Sequence, residues 1–245
     1  MATVIVANDL VGVGKVALTS SLPIMSACQT EVLPLPTVLL SSHTGEFENI
    51  YMRDLTDDLK GFYKQWEHLD FTVDGLVSGY FKSREELKIV GQLARDKRIA
   101  LFVDPIMGDN GRLYQGFDME YVEAMKDFCQ QADAIIPNLT EASLLTDSPY
   151  LEVGSYDKAT VDKLLRDLTK LGPRKVVLTG ISFEEGKIGL AYFDKETNKT
   201  TYLMRKSYKS HFYGSGDLVT AVLASGYFHH LNLLKVANLA LDFMD

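Results

Sequence analysis

Tyr213-Gly214-Ser215-Gly216-Asp217 stands directly ahead of Leu218-Val-Thr-Ala-Val-Leu-Ala224, a run with helical spacing. Small residues before a helix let backbone N–H groups converge, and the unpaired amides and dipole of a first turn favour a negative charge. A phosphate would sit well there. A carboxylate in the same turn repels phosphate, so Asp217 is suited to take a proton from a hydroxyl attacking that phosphate. Asp is also a favoured N-cap, and the local sequence leaves that reading equally open.

Other carboxylates and hydroxyls follow apolar runs. Asp104-Pro-Ile-Met-Gly-Asp109-Asn110-Gly111 comes after Ile99–Val103, where the carboxyl ends of parallel strands gather ligands. Two carboxylates there suit a hard cation such as Mg²⁺, while Asn110-Gly111 reads as a tight turn. Asn138 and Glu141, after Ala134–Ile136, could face that cation or nucleotide phosphates, or could be an N-cap with its first-turn carboxylate. Thr179-Gly180 ends Lys175–Thr179 and offers a hydroxyl and a close approach to a phosphate. Polar groups at four strand ends point to one shared cleft.

Several motifs fail. Gly12-Val-Gly14-Lys15 resembles the end of a P-loop, but Asp9 and Val16 occupy positions that need Gly and Ser/Thr. No His-Glu-x-x-His or Gly-x-Ser-x-Gly occurs, and His68, His211, His229 and His230 read as surface or packing residues.

The elements that must carry these residues alternate. Strands are expected at 4–7, 31–37, 75–78, 99–103, 134–136 and 175–179. Helices are expected at 14–28, 54–68, 83–97, 118–131, 140–146 and 157–170. This is the pattern of parallel strands with covering helices. Ile188–Phe193 and Thr200–Met204 flank a polar connector and predict an antiparallel hairpin at a sheet edge. No linker, repeat or low-complexity segment divides residues 1–245, which are read as a single domain. The stretch from Leu233 is helical in spacing and ends without a glycine cap or basic last turn, so a further C-terminal segment is expected.

The 245 residues are 46% hydrophobic and 24% charged, with a net charge of −8. That acidity argues against nucleic acid or an anionic membrane as partner and favours a small molecule. Two cysteines, Cys28 and Cys129, exclude a disulfide framework, and the first ten residues lack the marks of a secretory signal. A cytoplasmic protein is expected.

Taken together, Gly214-Ser-Gly-Asp217, Asp104-Pro-Ile-Met-Gly-Asp109, Pro137-Asn-Leu-Thr-Glu141 and Val177-Leu-Thr-Gly180 resemble motifs of the ribokinase-like superfamily. Asp9-Leu-Val-Gly-Val-Gly-Lys15, Ser42-His-Thr-Gly45, Arg53-Asp-Leu-Thr-Asp-Asp58 and Gly79-Tyr80 look like its pyridoxal/pyridoxine/pyridoxamine kinase branch. The resemblance implies a three-layer α/β/α sandwich with a central, mostly parallel sheet. It implies an ATP-dependent kinase that phosphorylates the 5′-hydroxymethyl group of a B6 vitamer, active as a homodimer.

In that reading Asp217 is the base, and Gly214, Ser215 and Gly216 form an anion hole. Asp104, Asp109 and Glu141 organise Mg²⁺. Asn138, Glu141, Thr179 and Asp104 lie near the ATP phosphates. Asp9, His43, Thr44 and Tyr80 surround the pyridine ring, and Gly45–Tyr51 is either a lid or an ordinary loop. Ser215 and Ile136 each stand where relatives often carry Thr, and the second leaves K⁺ binding open. Hydroxymethylpyrimidine kinase activity, and a non-catalytic vitamer- or nucleotide-binding relative, are the alternatives.

Overall fold

The computed structural model describes residues 1–45, 47–69, 71–208 and 212–244. Glu46, inside the lid candidate, and His211 lie outside them. In chain order the elements are β1 (Ala2–Val13), α1 (Ala17–Ala27), β2 (Thr30–Ser42), β3 (Met52–Asp54), α2 (Thr56–Trp66), β4 (Gly75–Ser78), α3 (Arg84–Lys97) and β5 (Ala100–Val103). They continue with β6 (Gly108–Asp109), β7 (Arg112–Leu113), α4 (Met119–Cys129), β8 (Ala134–Ile135), α5 (Leu139–Leu145) and α6 (Lys158–Leu171). The last are β9 (Lys175–Ile181), β10 (Lys187–Asp194), β11 (Lys199–Lys206), α7 (Ser215–Phe228) and α8 (Leu233–Met244). The mixed α/β class is as expected.

Two compact units form. The first holds Met1–Leu101, Phe212–Ala240 and Met244; the second holds, among the described residues, 102–208 and Leu241–Phe243. In the first unit the strand order is β4-β1-β2-β3, with β1 parallel to β2 and β4, and β3 antiparallel to β2. Val4, Ile5, Val6 and Ala7 are all buried, as a strand covered on both faces requires.

β1 runs six residues past the predicted end at Ala7, because pairing with β2 resumes beyond an irregularity between Asn8 and Leu10. Such irregularities re-aim side chains, and this one lies at Asp9. α1 begins at Ala17 rather than near 14, since Gly14 at φ 114 and the extended N-cap Val16 at φ −131 are not helical. α3 starts on a capping box: Ser83 accepts the Glu86 N–H and the Glu86 carboxylate accepts the Ser83 N–H.

The second unit has the order β5-β8-β9-β10-β11, parallel through β9 and antiparallel through β10 and β11. The predicted hairpin is therefore β10–β11, and it ends that order. β6 and β7 form a separate ribbon whose turn residues, Asn110 at φ 51 and Gly111 at φ 75, have the positive angles of a type I′ turn.

Candidate active site

In the first unit, α7 opens on Gly214 at φ 84, with no side-chain cap. Its first-turn N–H groups therefore point from the helix mouth without an intrahelical acceptor. Ser215 and Gly216 are exposed there, and the Ser215 hydroxyl donates back to Phe212 O at 3.1 Å. Asp217, in the first turn, does not cap its own helix. The Ala17 N–H and the Asn8 side chain lie near its carboxylate. Burial raises its pKa, and those two donors oppose the rise.

Asp9 is buried beside it. Burial first, and the Asp217 charge second, push the Asp9 carboxyl from 3.8 up to about 7. Tyr80 follows β4, half-buried, and its phenol is pushed up to about 12 by burial and then by the Asp9 charge. It packs on the cluster of Val11, Ala17, Val38 and Leu40, and its carbonyl accepts the Thr37 hydroxyl at 2.8 Å. The His43 ring lies 4.6 Å from that of Tyr213, whose hydroxyl donates to Gly45 O at 3.2 Å. Thr44 is exposed in the same turn. The first unit thus gathers a carboxylate pair, two aromatic rings and a phenol around an amide-lined helix mouth.

In the second unit, Asn138 caps α5 in a reciprocal box with Glu141, each accepting the other's N–H at 2.9 Å. The Asn138 amide also donates to Gly108 O at 2.8 Å, and Thr140 accepts the Gly111 N–H at 2.8 Å, which ties the ribbon to α5. Glu141 further accepts the Met107 N–H at 3.2 Å. Its pKa lies well above the usual range, because it is buried and because Asp104 stands near. Asp109 is exposed and spends hydrogen bonds on its own turn at Asn110. Thr179 bridges to Asn138, and its hydroxyl donates to Pro137 O at 3.3 Å. The capping reading of Asn138 and Glu141 is what the local geometry displays.

A profile described as phosphomethylpyrimidine kinase matches residues 56–245. The chain belongs to this family. A pyridoxal kinase crystal structure from Lactobacillus plantarum is 34% identical, with a TM-score of 0.90 over 98% of this chain and 85% of that one. A candidate phosphomethylpyrimidine kinase from Bacteroides thetaiotaomicron, crystallised with pyridoxal, is 32% identical, with a TM-score of 0.93 over 99% and 85%. The pyridoxal kinase of Dictyostelium discoideum is 28% identical over 79% of this chain and 67% of its own. The chain spans about two thirds of the length of the curated relatives that it matches. Within the phosphomethylpyrimidine kinase family its likenesses lie on the ribokinase-like pyridoxal kinase branch.

Asn8, Ala17, Gly79 and Tyr213 are the site neighbours that sequence reasoning did not assign. A polar Asn at the end of an apolar strand, next to Asp9, was the one available signal. In this phosphomethylpyrimidine kinase-family chain, a Cβ at Gly79 would come within 2.4 Å of the Asn8 amide. Gly79→Ala is therefore expected to displace Asn8 and lower kcat about 10²-fold. Steady-state kinetics of that variant test this, and turnover equal to wild type would refute it.

Asp9 also sets a pH dependence. Below pH 3.8 it is protonated whether the chain is folded or not; between 3.8 and about 7 only the folded chain holds the proton, so stability falls as pH rises. At about 1.4 kcal/mol per pH unit, melting curves should show Asp9→Asn gaining at least about 5 °C on wild type between pH 4 and 8. Parallel curves would exclude it.

Proposed function

We propose that this protein transfers the γ-phosphoryl group of ATP to the 5′-hydroxymethyl group of pyridoxal, pyridoxine or pyridoxamine. The observation that carries this is Asp217, which stands in the first turn of an uncapped helix mouth beside buried Asp9. The alcohol oxygen of the vitamer attacks the γ-phosphorus, the bond from that phosphorus to the β–γ bridging oxygen breaks, and ADP leaves. Asp217 takes the alcohol proton. The amides at Gly214, Ser215 and Gly216 stabilise the equatorial oxygens of the phosphoryl group, an effect worth a few kcal/mol per well-placed donor. Asp9, His43, Thr44 and Tyr80 hold the pyridine ring, and Asn138 and Thr179 accompany the nucleotide phosphates.

Mg²⁺ fits the chemistry of the second unit. Asp104 and Glu141 are hard oxygen donors whose mutual repulsion a cation relieves. Among the described residues no group of three or more His, Cys, Asp or Glu could hold a metal ion. Asp104, Asp109 and Glu141 would therefore hold it largely through water, and bound there it neutralises phosphate charge. K⁺ is a second candidate, with Ile136 offering no hydroxyl to it. No helix among the described residues is long and apolar enough to cross a membrane. We place the kinase in the cytoplasm as a homodimer.

The family description itself favours a second reading, phosphorylation of a hydroxymethylpyrimidine. Incubation with ATP, Mg²⁺ and each ring, with and without K⁺, separates the two. The expected products are ADP and a vitamer 5′-phosphate. Phosphorylation of the pyrimidine alone would overturn the ring assignment, and tight vitamer binding without product would point to a non-catalytic relative.

A further inference from the structure

We propose that Tyr213 is a positioning residue that clasps the His43–Gly45 turn onto the chain entering α7 and so fixes the ring and the tautomer of His43. The inference rests on the reading of His43 and Thr44 as ring-holding residues. The Tyr213 and His43 rings lie 4.6 Å apart at an interplanar angle of 35°, and Phe47 meets His43 at 76° with centroids 4.9 Å apart. The Tyr213 hydroxyl donates to Gly45 O at 3.2 Å, across 168 residues of sequence. Tyr213 is 40% exposed and Phe47 43% exposed, so burial does not force these rings together. What orders them is the ring contacts and the one hydrogen bond.

Two glycines make the room. Gly45 is not left-handed, yet a Cβ there would overlap the Tyr213 ring. At Gly14 an added Cβ would come 2.6 Å from His43 Cδ2. The second glycine of Gly12-Val-Gly14-Lys15, a run that fails as a P-loop, is therefore where the imidazole seats.

The turn is anchored at its start, since β1 and β2 pair through Val13 and Ser42 and the His43 N–H donates to Val13 O at 3.1 Å. Further along, His43 Nδ1 accepts the Gly45 N–H at 3.2 Å. A ring nitrogen that accepts carries no hydrogen, so in the neutral imidazole the hydrogen is on Nε2. Thr44 lies between the two clasped residues. Because the turn is ordered before substrate arrives, loss of the clasp weakens binding of the ring and leaves the chemical step nearly as it was.

Tyr213→Ala in the full chain, assayed with pyridoxal and ATP, tests this. The expected result is a KM for pyridoxal raised about tenfold, with kcat and the KM for ATP each within about twofold of wild type. Tyr213→Phe, which keeps the ring and loses the hydroxyl, is expected to raise the KM for pyridoxal about threefold. A merely structural role would lower the melting temperature and the active fraction, and with it kcat, while the KM for pyridoxal stayed in place. An unchanged KM for pyridoxal in Tyr213→Ala, or an equal rise for both substrates, refutes the inference.

Gly45→Ala gives an independent check, because its methyl displaces the same ring. It is expected to match Tyr213→Ala, and the double variant is expected to go no further than either single one. A rise of about 10²-fold in the double variant, the product of two unrelated effects, refutes the clasp. Should the Tyr213 variants not fold, imidazole ¹⁵N spectra of the wild-type protein decide, with the signal assigned through His43→Gln. The hydrogen is expected on Nε2, and its presence on Nδ1 refutes the inference. A wild-type protein that leaves pyridoxal unphosphorylated defeats the proposed function, whereas phosphorylation beside a wild-type-like Tyr213→Ala defeats the clasp alone.

Discussion

Asp217→Asn lowers turnover about 10³-fold, the scale expected when a positioned proton acceptor is lost, while ATP binding persists. The substitution is nearly isosteric, so the packing around the side chain is kept. It also removes a negative charge from beside Asp9, so repulsion on that buried carboxyl falls and the melting temperature holds or rises. What disappears is the capacity to receive the alcohol proton. Turnover of the vitamer, with ATP binding followed by calorimetry, checks both halves. Wild-type turnover would remove Asp217 from the mechanism, and lost ATP binding would recast it as a nucleotide contact.

Gly214→Ala and Gly216→Ala give opposite results on stability, although they lie two residues apart at the start of α7. At Gly214 the backbone is left-handed, φ 84, and an added Cβ would meet Lys15 O at 2.3 Å. Either Lys15 or the start of α7 must move, and the first turn of α7 carries Asp217. The expectation is a loss of about 2 kcal/mol of stability, from strain and overpacking, together with a kcat loss on the order of 10²-fold.

At Gly216 nothing lies within 4 Å of an added Cβ, and the backbone is not left-handed. Ala there is expected to leave the melting temperature unchanged or raise it, since Ala is the better helix former. A kcat loss in Gly216→Ala without destabilisation would report the new methyl crowding the transferred phosphoryl group. If Gly214→Ala melts and turns over as wild type, the amide mouth is not the anion hole.

The features legible in sequence share a short reach. The box of Asn138 and Glu141 spans three residues, as does that of Ser83 and Glu86, and each declares itself through residue types that satisfy the orphan amides of one turn. Asn110-Gly111 required nothing beyond two residues that tolerate positive φ. The β10–β11 hairpin joins strands adjacent in sequence. Asn8 was missed for the opposite reason: its partner Tyr80 lies 72 residues away, and nothing in the residues around Asn8 specifies that pairing. β1 appeared to stop at Ala7 because Asn8 and Asp9 are polar, yet pairing with β2 carries the strand on to Val13.

The sequence by itself therefore determined the alternation of elements, the helix starts with local caps, and the chemistry available at Gly214–Asp217, because these depend on propensities and spacings within a few residues. Tertiary structure alone decided that Asp217 turns from its own helix toward Asn8 and Ala17. It also decided that Ala17 accepts a left-handed backbone and that Asp9 is buried deeply enough to hold a proton near neutral pH. Charge state and amide orientation depend on desolvation and on donors contributed by distant strands, and those exist only once β1, α1, β4 and α7 have packed.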